Sequence, residues 1–244
     1  MELRLDSRTT QDAIAQAAEL LEHRRLVLAF GDRLTLSALA IAEPIQPSLV
    51  GAATTEDEGV ELVLRTQPDL LICSSDLETG YGPVLLKRVK AELPTCQLLI
   101  VLERETKALV REALDAFADG VIFKSSLGTG RGDLIGALHT IADGGVYYPA
   151  EIRRLAAAAP QYYTAEIRRL AAAAPQPDLP PLVEELTQRE LDVAAAVARG
   201  LKNNAIADLL GISLETVKTH VGNAMDKLGA RDRTQMAVTA LLYG

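Results

Sequence analysis

The sequence contains few of the features that mark secreted or membrane proteins. Its 244 residues include only two cysteines, which are too few for a disulfide framework. No apolar run approaches the roughly 20 residues that a bilayer-spanning helix needs. Met1 leads directly into charged residues instead of an apolar leader. We therefore expect a soluble, cytoplasmic protein that makes no membrane contact.

The two cysteines are poorly placed for a bridge within the chain. Cys73 is predicted at the carboxyl end of a third strand and Cys96 at the amino end of a fourth. If these strands are parallel neighbours, the offset is about six residues, or roughly 20 Å. A disulfide does not span that distance. We expect buried, inert thiols, with a bridge between two chains through Cys96 as the alternative.

The sequence also lacks the motifs of an enzyme. We find no paired nucleophile and base and no phosphate-binding loop. The prediction is therefore a protein that is not an enzyme and that needs no cofactor or metal. An enzyme-like domain that binds a small molecule or a metal is the alternative.

Length and charge favour two unequal domains. The 244 residues exceed one average domain, and 48% of them are hydrophobic, which is enough to form real cores. Residues 186–244 carry seven basic and six acidic side chains, a net charge of +1, so residues 1–185 carry −9 and the whole chain −8. A weakly basic tail on an acidic body permits nucleic-acid binding by the tail and disfavours it for the body.

The first half alternates short apolar runs with amphipathic segments. Buried parallel strands are predicted at residues 25–30, 48–53, 69–74, 97–102 and 120–123, and helices at residues 10–23, 56–65, 83–93, 106–117 and 132–142. This alternation predicts a doubly wound, five-stranded α/β domain with helices on both faces. The helix at residues 10–23 would cover a sheet face of its own subunit or contact a partner subunit.

The carboxyl ends of these strands carry a recognisable pattern. The runs RLVLAF with Gly31 and Asp32 after it, QPDLLICSSDLETGYG, LLIVLE and DGVIFK span residues 25–145. In this range the chain resembles the receiver domain of bacterial response regulators. The resemblance implies a phosphoryl group accepted by an aspartate after the third strand. It also implies Mg²⁺ held by that aspartate and by an acidic pair after the first strand.

This sequence departs from the receiver pattern at four positions. The phosphoacceptor position is Ser74, and one member of the acidic pair is Gly31. The hydroxyl switch position is Glu103, and the aromatic switch position is Val121. Together the changes remove the acceptor, a metal ligand and the relay. We therefore predict a degenerate receiver.

Three charged residues remain near the predicted acceptor position. Asp32 and Lys124 are retained from the receiver pattern, and they would form an ion pair or lie as solvated charges. Asp76 lies two residues beyond Ser74, so an alternating strand would return its side chain to the same face. Asp76 is therefore an alternative, displaced acceptor that a histidine kinase would phosphorylate.

The last 59 residues, from 186 to 244, contain several helix signals. Thr187 and Glu190 form a capping box, which opens a helix whose predicted face is Leu191, Ala194, Ala195 and Ala198 and which stops at Gly200. Helices at residues 203–210 and 214–228 flank Gly211 and the cap Ser213, and a last helix covers residues 233–242. Two helices joined by a short glycine-containing turn form a helix-turn-helix, whose second helix enters the major groove.

This segment closely resembles the LuxR-type, or GerE, DNA-binding domain of NarL/FixJ-family response regulators. The resemblance rests on LTQRE, GLKNNAIADLLGIS, TVKTHV and KLGARDRTQ. It implies that Lys218, Thr219 and Gly222 face base edges, and that Asn203, Thr216, His220, Asn223 and Lys227 contact the backbone or place the helix. His220 would alternatively pack beside the preceding helix. Gly222 departs from the family pattern, because a longer polar residue is common there.

The resemblance also implies how the protein assembles and what it does. The last helix would form a homodimer interface through Met236, Ala237, Ala240 and Leu241. We therefore expect a regulator of transcription that binds double-stranded DNA as a homodimer. Because the acceptor aspartate is missing, we expect this binding to be independent of phosphorylation. Its input would be a protein partner, with control by a histidine kinase as the alternative.

A tandem repeat separates the two predicted domains. YYPAEIRRLAAAAPQ at residues 147–161 is followed at once by YYTAEIRRLAAAAPQ at residues 162–176. Strong helix formers fill each copy, and Pro160 and Pro175 end them, which predicts two short helices. The repeat is either a neutral extension of a tether or a spacer of functional length. The predicted organisation is an N-terminal helical extension (1–24), a receiver-like domain (25–146), a linker (147–181) and a DNA-binding domain (182–244).

Overall fold

A computed structural model of the chain describes residues 8–127, 133–157 and 186–243. The chain divides into two units, Met1–Ile152 and Arg153–Gly244, and each is described by itself. The second repeat copy, at residues 162–176, lies outside the described residues. Across the described ranges, no helix combines the length and the apolarity needed to cross a membrane.

The first unit is built on a parallel sheet of five strands in the order β2-β1-β3-β4-β5. The strands are β1 (Leu26–Ala29), β2 (Leu49–Ala53), β3 (Leu70–Ser74), β4 (Gln97–Leu102) and β5 (Gly120–Phe123). Each lies within one residue of the predicted run. The order reverses at β1, so the predicted doubly wound α/β architecture is confirmed.

Seven helices are described in or at the edge of this unit. They are α1 (Arg8–Leu21), α2 (Arg33–Ala40), α3 (Glu56–Thr66), α4 (Gly82–Glu92), α5 (Lys107–Asp115), α6 (Asp133–Ala142) and α7 (Ala150–Ala157). The sequence patterns predicted five of these helices and missed α2. Helix α7 forms from the first repeat copy, as its composition predicts.

Alternation along each strand places the core on both faces of the sheet. Leu26 and Leu28 of β1 share one hydrophobic cluster with Ile72 of β3 and Ile141 of α6. The same cluster contains Leu21, because α1 packs against α6. The N-terminal extension therefore covers a face of its own subunit, as one of the two interpretations of its apolar spacing expected.

Both cysteines are free and buried. Cys73 lies opposite Ile100 in the register of β3 and β4, four residues beyond Cys96. The predicted offset of about six residues is therefore wrong, because register cannot be read from strand position alone. Four residues still separate the thiols by roughly 13 Å along the strands. Burial raises the pKa of both thiols, that of Cys96 to about 12, and leaves them weak nucleophiles.

The second unit contains four described helices. They are α8 (Gln188–Ala198), α9 (Asn203–Leu210), α10 (Leu214–Lys227) and α11 (Arg233–Tyr243), and each agrees with a predicted helix to within two residues at either end. The predicted face of α8 is only partly correct, since Val193, Ala196 and Val197 are fully buried and Leu191 is half-buried. Helix α8 packs against both α10 and α11, so more than one stripe is covered.

Candidate functional site

The predicted receiver-type residues gather at the carboxyl edge of the sheet. Ser74 ends β3, Glu103 follows β4 and Lys124 follows β5. The Ser74 Oγ atom lies 3.3 Å from Glu103 Oε1, and the Lys124 ammonium lies 2.9 Å from Glu103 Oε2. Val121 lies further from this edge and is fully buried, because it pairs with Ile100, two residues before the end of β4.

Lys124 forms an ion pair with Glu103. The carboxylate that faces Lys124 therefore follows β4 and does not come from the end of β3. The Glu103 side chain is 24% exposed and that of Lys124 is 44% exposed. The backbone of Glu103 is fixed by a hydrogen bond, in which its N–H donates to Ser75 Oγ at 3.1 Å. The cation expected to face an acceptor carboxylate therefore faces a carboxylate from the neighbouring strand. Ser74 contributes only a neutral hydroxyl.

Ser74 is buried and engaged by its own loop. Ser74 is only 2% exposed. The Oγ atom lies 3.0 Å from the carbonyl oxygen of Asp76 and accepts the Asp76 N–H at 3.2 Å. These contacts turn the chain sharply after β3, and the Asp76 carboxylate instead pairs with Arg104 at 3.3 Å. Asp76 therefore lies beyond the strand and already has a cationic partner.

The position of Gly31 is closed by the loop at residues 76–81, the β3–α4 loop. A Cβ atom on Gly31 would lie 2.7 Å from the backbone N of Glu78 and 2.8 Å from the carbonyl oxygen of Asp76. The Gly31 N–H donates to that same carbonyl at 3.3 Å. A side chain at residue 31 would therefore have to displace backbone. The glycine is required by this close approach.

Asp32 serves the backbone of α2. Its carboxylate accepts the Leu34 N–H at 2.9 Å and the Thr35 hydroxyl at 2.7 Å, which makes it the N-cap. The Thr35 hydrogen bond, followed by that of Leu34, lowers the pKa of Asp32. Lys124 pairs with Glu103 instead, so of the two alternatives the solvated charge describes Asp32, which is exposed and also caps α2.

The β3–α4 loop is tied to three neighbouring segments. Arg33 pairs with Glu78 at 2.9 Å, and the Glu78 N–H donates to the Thr54 carbonyl at 2.9 Å. Tyr81 at the far end donates its hydroxyl to Glu112 on α5 at 2.5 Å. With the pair between Asp76 and Arg104, these bonds connect the loop to the segments after β1, β2 and β4. The carboxyl edge is thus closed by protein contacts.

The residues at this edge do not fit Mg²⁺. A hard divalent cation needs several carboxylate or carbonyl oxygens around one point. Here Asp32 is turned toward α2, Ser74 replaces a carboxylate, and the space beside Gly31 is filled by backbone. Among the described residues, no group of three or more His, Cys, Asp or Glu side chains could hold a metal ion.

Helices α9 and α10 of the second unit form the predicted helix-turn-helix. Gly211 ends α9 in the left-handed region at φ 64°, a conformation that favours glycine. Ser213 then caps α10 by accepting the Thr216 N–H at 3.1 Å. Ile206 and Val217 are fully buried, as the sequence predicts for core positions. The outer face of α10 is left open to solvent.

Four of the predicted DNA-contacting residues lie exposed on α10: Lys218, Thr219, Gly222 and Asn223. Lys218 Nζ lies 2.7 Å from Glu215 Oε1, and both side chains are more than half exposed. The Thr219 hydroxyl donates to the Glu215 carbonyl at 3.0 Å. Sequence reasoning missed Glu215. Its spacing of three residues before Lys218 in a predicted helix was the available signal.

The other four predicted DNA-contacting residues are half-buried: Asn203, Thr216, His220 and Lys227. Asn203 Oδ1 accepts from Arg233 at 2.9 Å, and the Lys227 ammonium donates to Glu190 at 2.8 Å. Thr216 Oγ1 lies 2.8 Å from the Ser213 hydroxyl. The His220 Nδ1 atom is buried and has no hydrogen-bond partner within the described part of the chain. Asn203, Thr216 and Lys227 therefore bond to other residues of the unit, and the unit partly covers His220.

The predicted dimer residues divide into two pairs. Met236 and Ala237 are fully buried in the second unit, where they pack within one chain. Ala240 and Leu241 are half-buried. Ala240 also lines a largely apolar cleft of about 230 Å³ with Leu191, Ala195 and Thr239. On α11, contact with a second copy would therefore involve Ala240 and Leu241.

Gly222→Ala is expected to stabilise the second unit. A Cβ at this position meets nothing within 4 Å, so the helix gains propensity without a clash. Glycine in a helix interior costs about 0.5–1 kcal/mol relative to alanine. Hydrogen exchange of α10 peptides in the full-length protein should slow by the corresponding factor. Unchanged or faster exchange would show that the glycine has a structural role.

Comparison with known proteins identifies relatives over about 80% of the chain. Residues 184–240 match the family of bacterial regulatory proteins called the luxR family. The uncharacterized transcriptional regulatory protein YxjL of Bacillus subtilis is 31% identical over 194 residues, which cover 80% of this chain and 83% of that protein. The nitrate/nitrite response regulator protein homolog of Haemophilus influenzae is 30% identical over 195 residues, covering 80% of this chain and 83% of the homolog. RcsB of Salmonella typhimurium, a response regulator of known structure, is similar at 20% identity and a TM-score of 0.47, over 86% of this chain and 93% of that one.

Proposed function

Because the chain belongs to the family of transcriptional response regulators with a LuxR-type DNA-binding domain, we propose that it binds specific DNA sites without phosphorylation of its first unit. Members of this family are regulators and not enzymes. We assign DNA binding to residues 182–244, the receiver-like role to residues 25–146, and the linker to residues 147–181. In the extension at residues 1–24, helix α1 packs against α6, which supports grouping the extension with the receiver-like unit.

The open face of α10 supports DNA reading by Lys218 and its neighbours. Recognition helices contact base edges with residues of their N-terminal turns. Lys218 and Thr219 lie in that part of α10, and both are exposed. Asn203, Thr216, His220 and Lys227 would place the helix through their contacts with the framework. Asn223, which is exposed, remains the candidate for a phosphate contact.

The proposal that DNA binding is independent of phosphorylation rests on one observation. Where a receiver has an acceptor carboxylate, this site has an ion pair between Glu103 and Lys124. Ser74 at the acceptor position is buried, and Glu103 already neutralises Lys124 at 2.9 Å. The closed space beside Gly31 disfavours the metal that phosphoryl transfer to an aspartate needs. A histidine kinase acting on Asp76 is the alternative, but the pair of Asp76 with Arg104 does not favour it.

The input would then come through binding, and the output through a dimer. A receiver-like unit without an acceptor is suited to docking a protein partner or a second copy. On α11, Ala240 and Leu241 are the candidate dimer contacts. Two copies related by a two-fold axis would read two half-sites, because dimer symmetry is mirrored in the site.

Selection of binding sites from random duplexes tests this function. The unphosphorylated full-length protein should enrich one sequence with two related half-sites. The selected duplex should bind much more tightly than a scrambled one, since specific sites exceed non-specific DNA by about 10³-fold or more. Enrichment of no sequence, or equal affinity for the scrambled duplex, would rule out site-specific binding in this state.

A further inference from the structure

Glu215 occupies an unusual place for an acidic side chain in a DNA-binding protein. It lies in the first turn of α10, with a side chain that is 79% exposed. Its Oε1 atom lies 2.7 Å from Lys218 Nζ. Residues three apart share one helix face, so both polar ends project from the same surface. DNA phosphates repel a carboxylate at such a position unless it finds a hydrogen-bond donor.

We propose that Glu215 is a specificity-determining residue, which reads cytosine while Lys218 reads guanine. This inference rests on the proposed DNA-binding function and deepens it. A carboxylate only accepts hydrogen bonds, and the cytosine N4 amino group is its usual donor in the major groove. Lysine donates to the O6 and N7 atoms of guanine. A G·C pair presents both partners at one groove edge, which suits two side-chain ends that already lie side by side.

The neighbouring side chains leave this reading to Glu215 and Lys218. Thr219 points its hydroxyl hydrogen at the Glu215 carbonyl, 3.0 Å away. Gly222, one turn further on, has no side chain. Thr216 lies 2.8 Å from the Ser213 hydroxyl within the helix cap. On this stretch of α10, Glu215 and Lys218 therefore carry the exposed charged groups.

The same pair discriminates against other DNA. On a non-cognate sequence the Glu215 carboxylate meets guanine or thymine acceptors and is left without a donor. Its charge also cancels that of Lys218, which weakens attraction to phosphates. Specificity gained by penalising the wrong partner is a known strategy in recognition. Glu215 thus lowers non-specific affinity at the same time as it selects cytosine.

Asp226 provides a matched control on the same helix. It is exposed and acidic but lies near the C-terminal end of α10, away from the turns that enter a groove. Glu215→Gln and Asp226→Asn each remove one negative charge with little change in shape. A general electrostatic effect would appear in both variants, whereas base reading would appear only at residue 215.

The experiment is site selection followed by competition binding with full-length wild type, Glu215→Gln, Glu215→Ala and Asp226→Asn. The affinity of each protein is measured for the selected duplex and for a duplex in which the G·C pair assigned to Glu215 and Lys218 is exchanged for A·T. We expect both Glu215 variants to lower the ratio of these two affinities about tenfold, which is the discrimination that one base contact provides. We also expect them to bind scrambled DNA more tightly, while Asp226→Asn keeps the wild-type ratio. Ratios that stay at the wild-type value in both Glu215 variants, or that fall equally in Asp226→Asn, would overturn the inference and leave the proposed function standing. Wild-type protein that selects no site would instead overturn both.

Discussion

Glu190→Ala should destabilise the second unit by about 3 kcal/mol, because it removes a helix cap and one partner of a buried ion pair. Glu190 is 3% exposed. Its Oε2 atom accepts from the Thr187 N–H at 2.7 Å, from the Thr187 hydroxyl at 2.8 Å and from Lys227 at 2.8 Å. Alanine removes the capping box and leaves the Lys227 ammonium without this carboxylate.

Hydrogen exchange of the full-length protein measures this loss unit by unit. Peptides of α8 and α10 should exchange faster in Glu190→Ala, while peptides of the first unit keep their wild-type rates. Glu190→Gln is the matched control, because glutamine retains the capping box but not the charge. The second unit should lose less stability in Glu190→Gln than in Glu190→Ala. Equal protection in wild type and Glu190→Ala would show that the buried carboxylate contributes nothing to stability.

The contribution of Glu190 should also depend on pH. The hydrogen bond from Lys227, followed by that from the Thr187 backbone, lowers the pKa of Glu190 from 4.5 to about 2. A carboxyl whose folded pKa is lowered stabilises the fold above its unfolded pKa and loses that effect as it is protonated. The stability difference between wild type and Glu190→Ala should therefore be full above pH 4.5 and shrink toward pH 2. Urea unfolding across this range checks it.

Lys218→Ala should weaken binding to the selected DNA site by roughly 1–3 kcal/mol and relax the base preference at one position. The loss has two causes. A base contact disappears, and Glu215 is left as an uncompensated negative charge on the same face. Folding should be unaffected, because the Lys218 side chain is more than half exposed.

Fluorescence anisotropy with labelled duplexes measures both effects. The selected site and its single-base variants are compared for wild type, Lys218→Ala and Lys87→Ala. Lys87 is an exposed lysine of the first unit, so the control removes the same charge away from α10. Lys87→Ala should bind like wild type. If Lys218→Ala also keeps wild-type affinity and preference, Lys218 is not part of the reading surface.

The sheet could be predicted from sequence because four of its five strands are buried on both faces. Each strand is a short apolar run between polar segments, and β3 and β4 are buried at almost every position. Helix α2 lacks such a signal. Its Leu34 is 79% exposed and the adjoining Ile41 is 76% exposed, so only Leu36 of this helix is buried. The Asp32 cap and local hydrogen bonds place a helix there that hydrophobic spacing does not reveal.

The sequence predicted where the candidate site residues lie, but not which residues they pair with. The resemblance to receivers placed Ser74, Glu103 and Lys124 at one sheet edge, where the structure also brings them together. It did not predict that Glu103 neutralises Lys124, since family patterns carry no information on replaced residues. Closure of the edge over Gly31 was also missed, because loop contacts depend on tertiary packing. The same limit applies to Lys227, whose partner Glu190 is 37 residues away.

Treatment with acetyl phosphate and Mg²⁺ tests phosphorylation-independent DNA binding most directly. Intact mass and the Kd for the selected site are measured on the same full-length sample before and after treatment, with Asp76→Asn in parallel. Because Ser74 replaces the acceptor and Glu103 already pairs with Lys124, the mass and the Kd should both stay unchanged. A phosphorylated species with altered affinity, absent from Asp76→Asn, would contradict this proposal and establish control through Asp76.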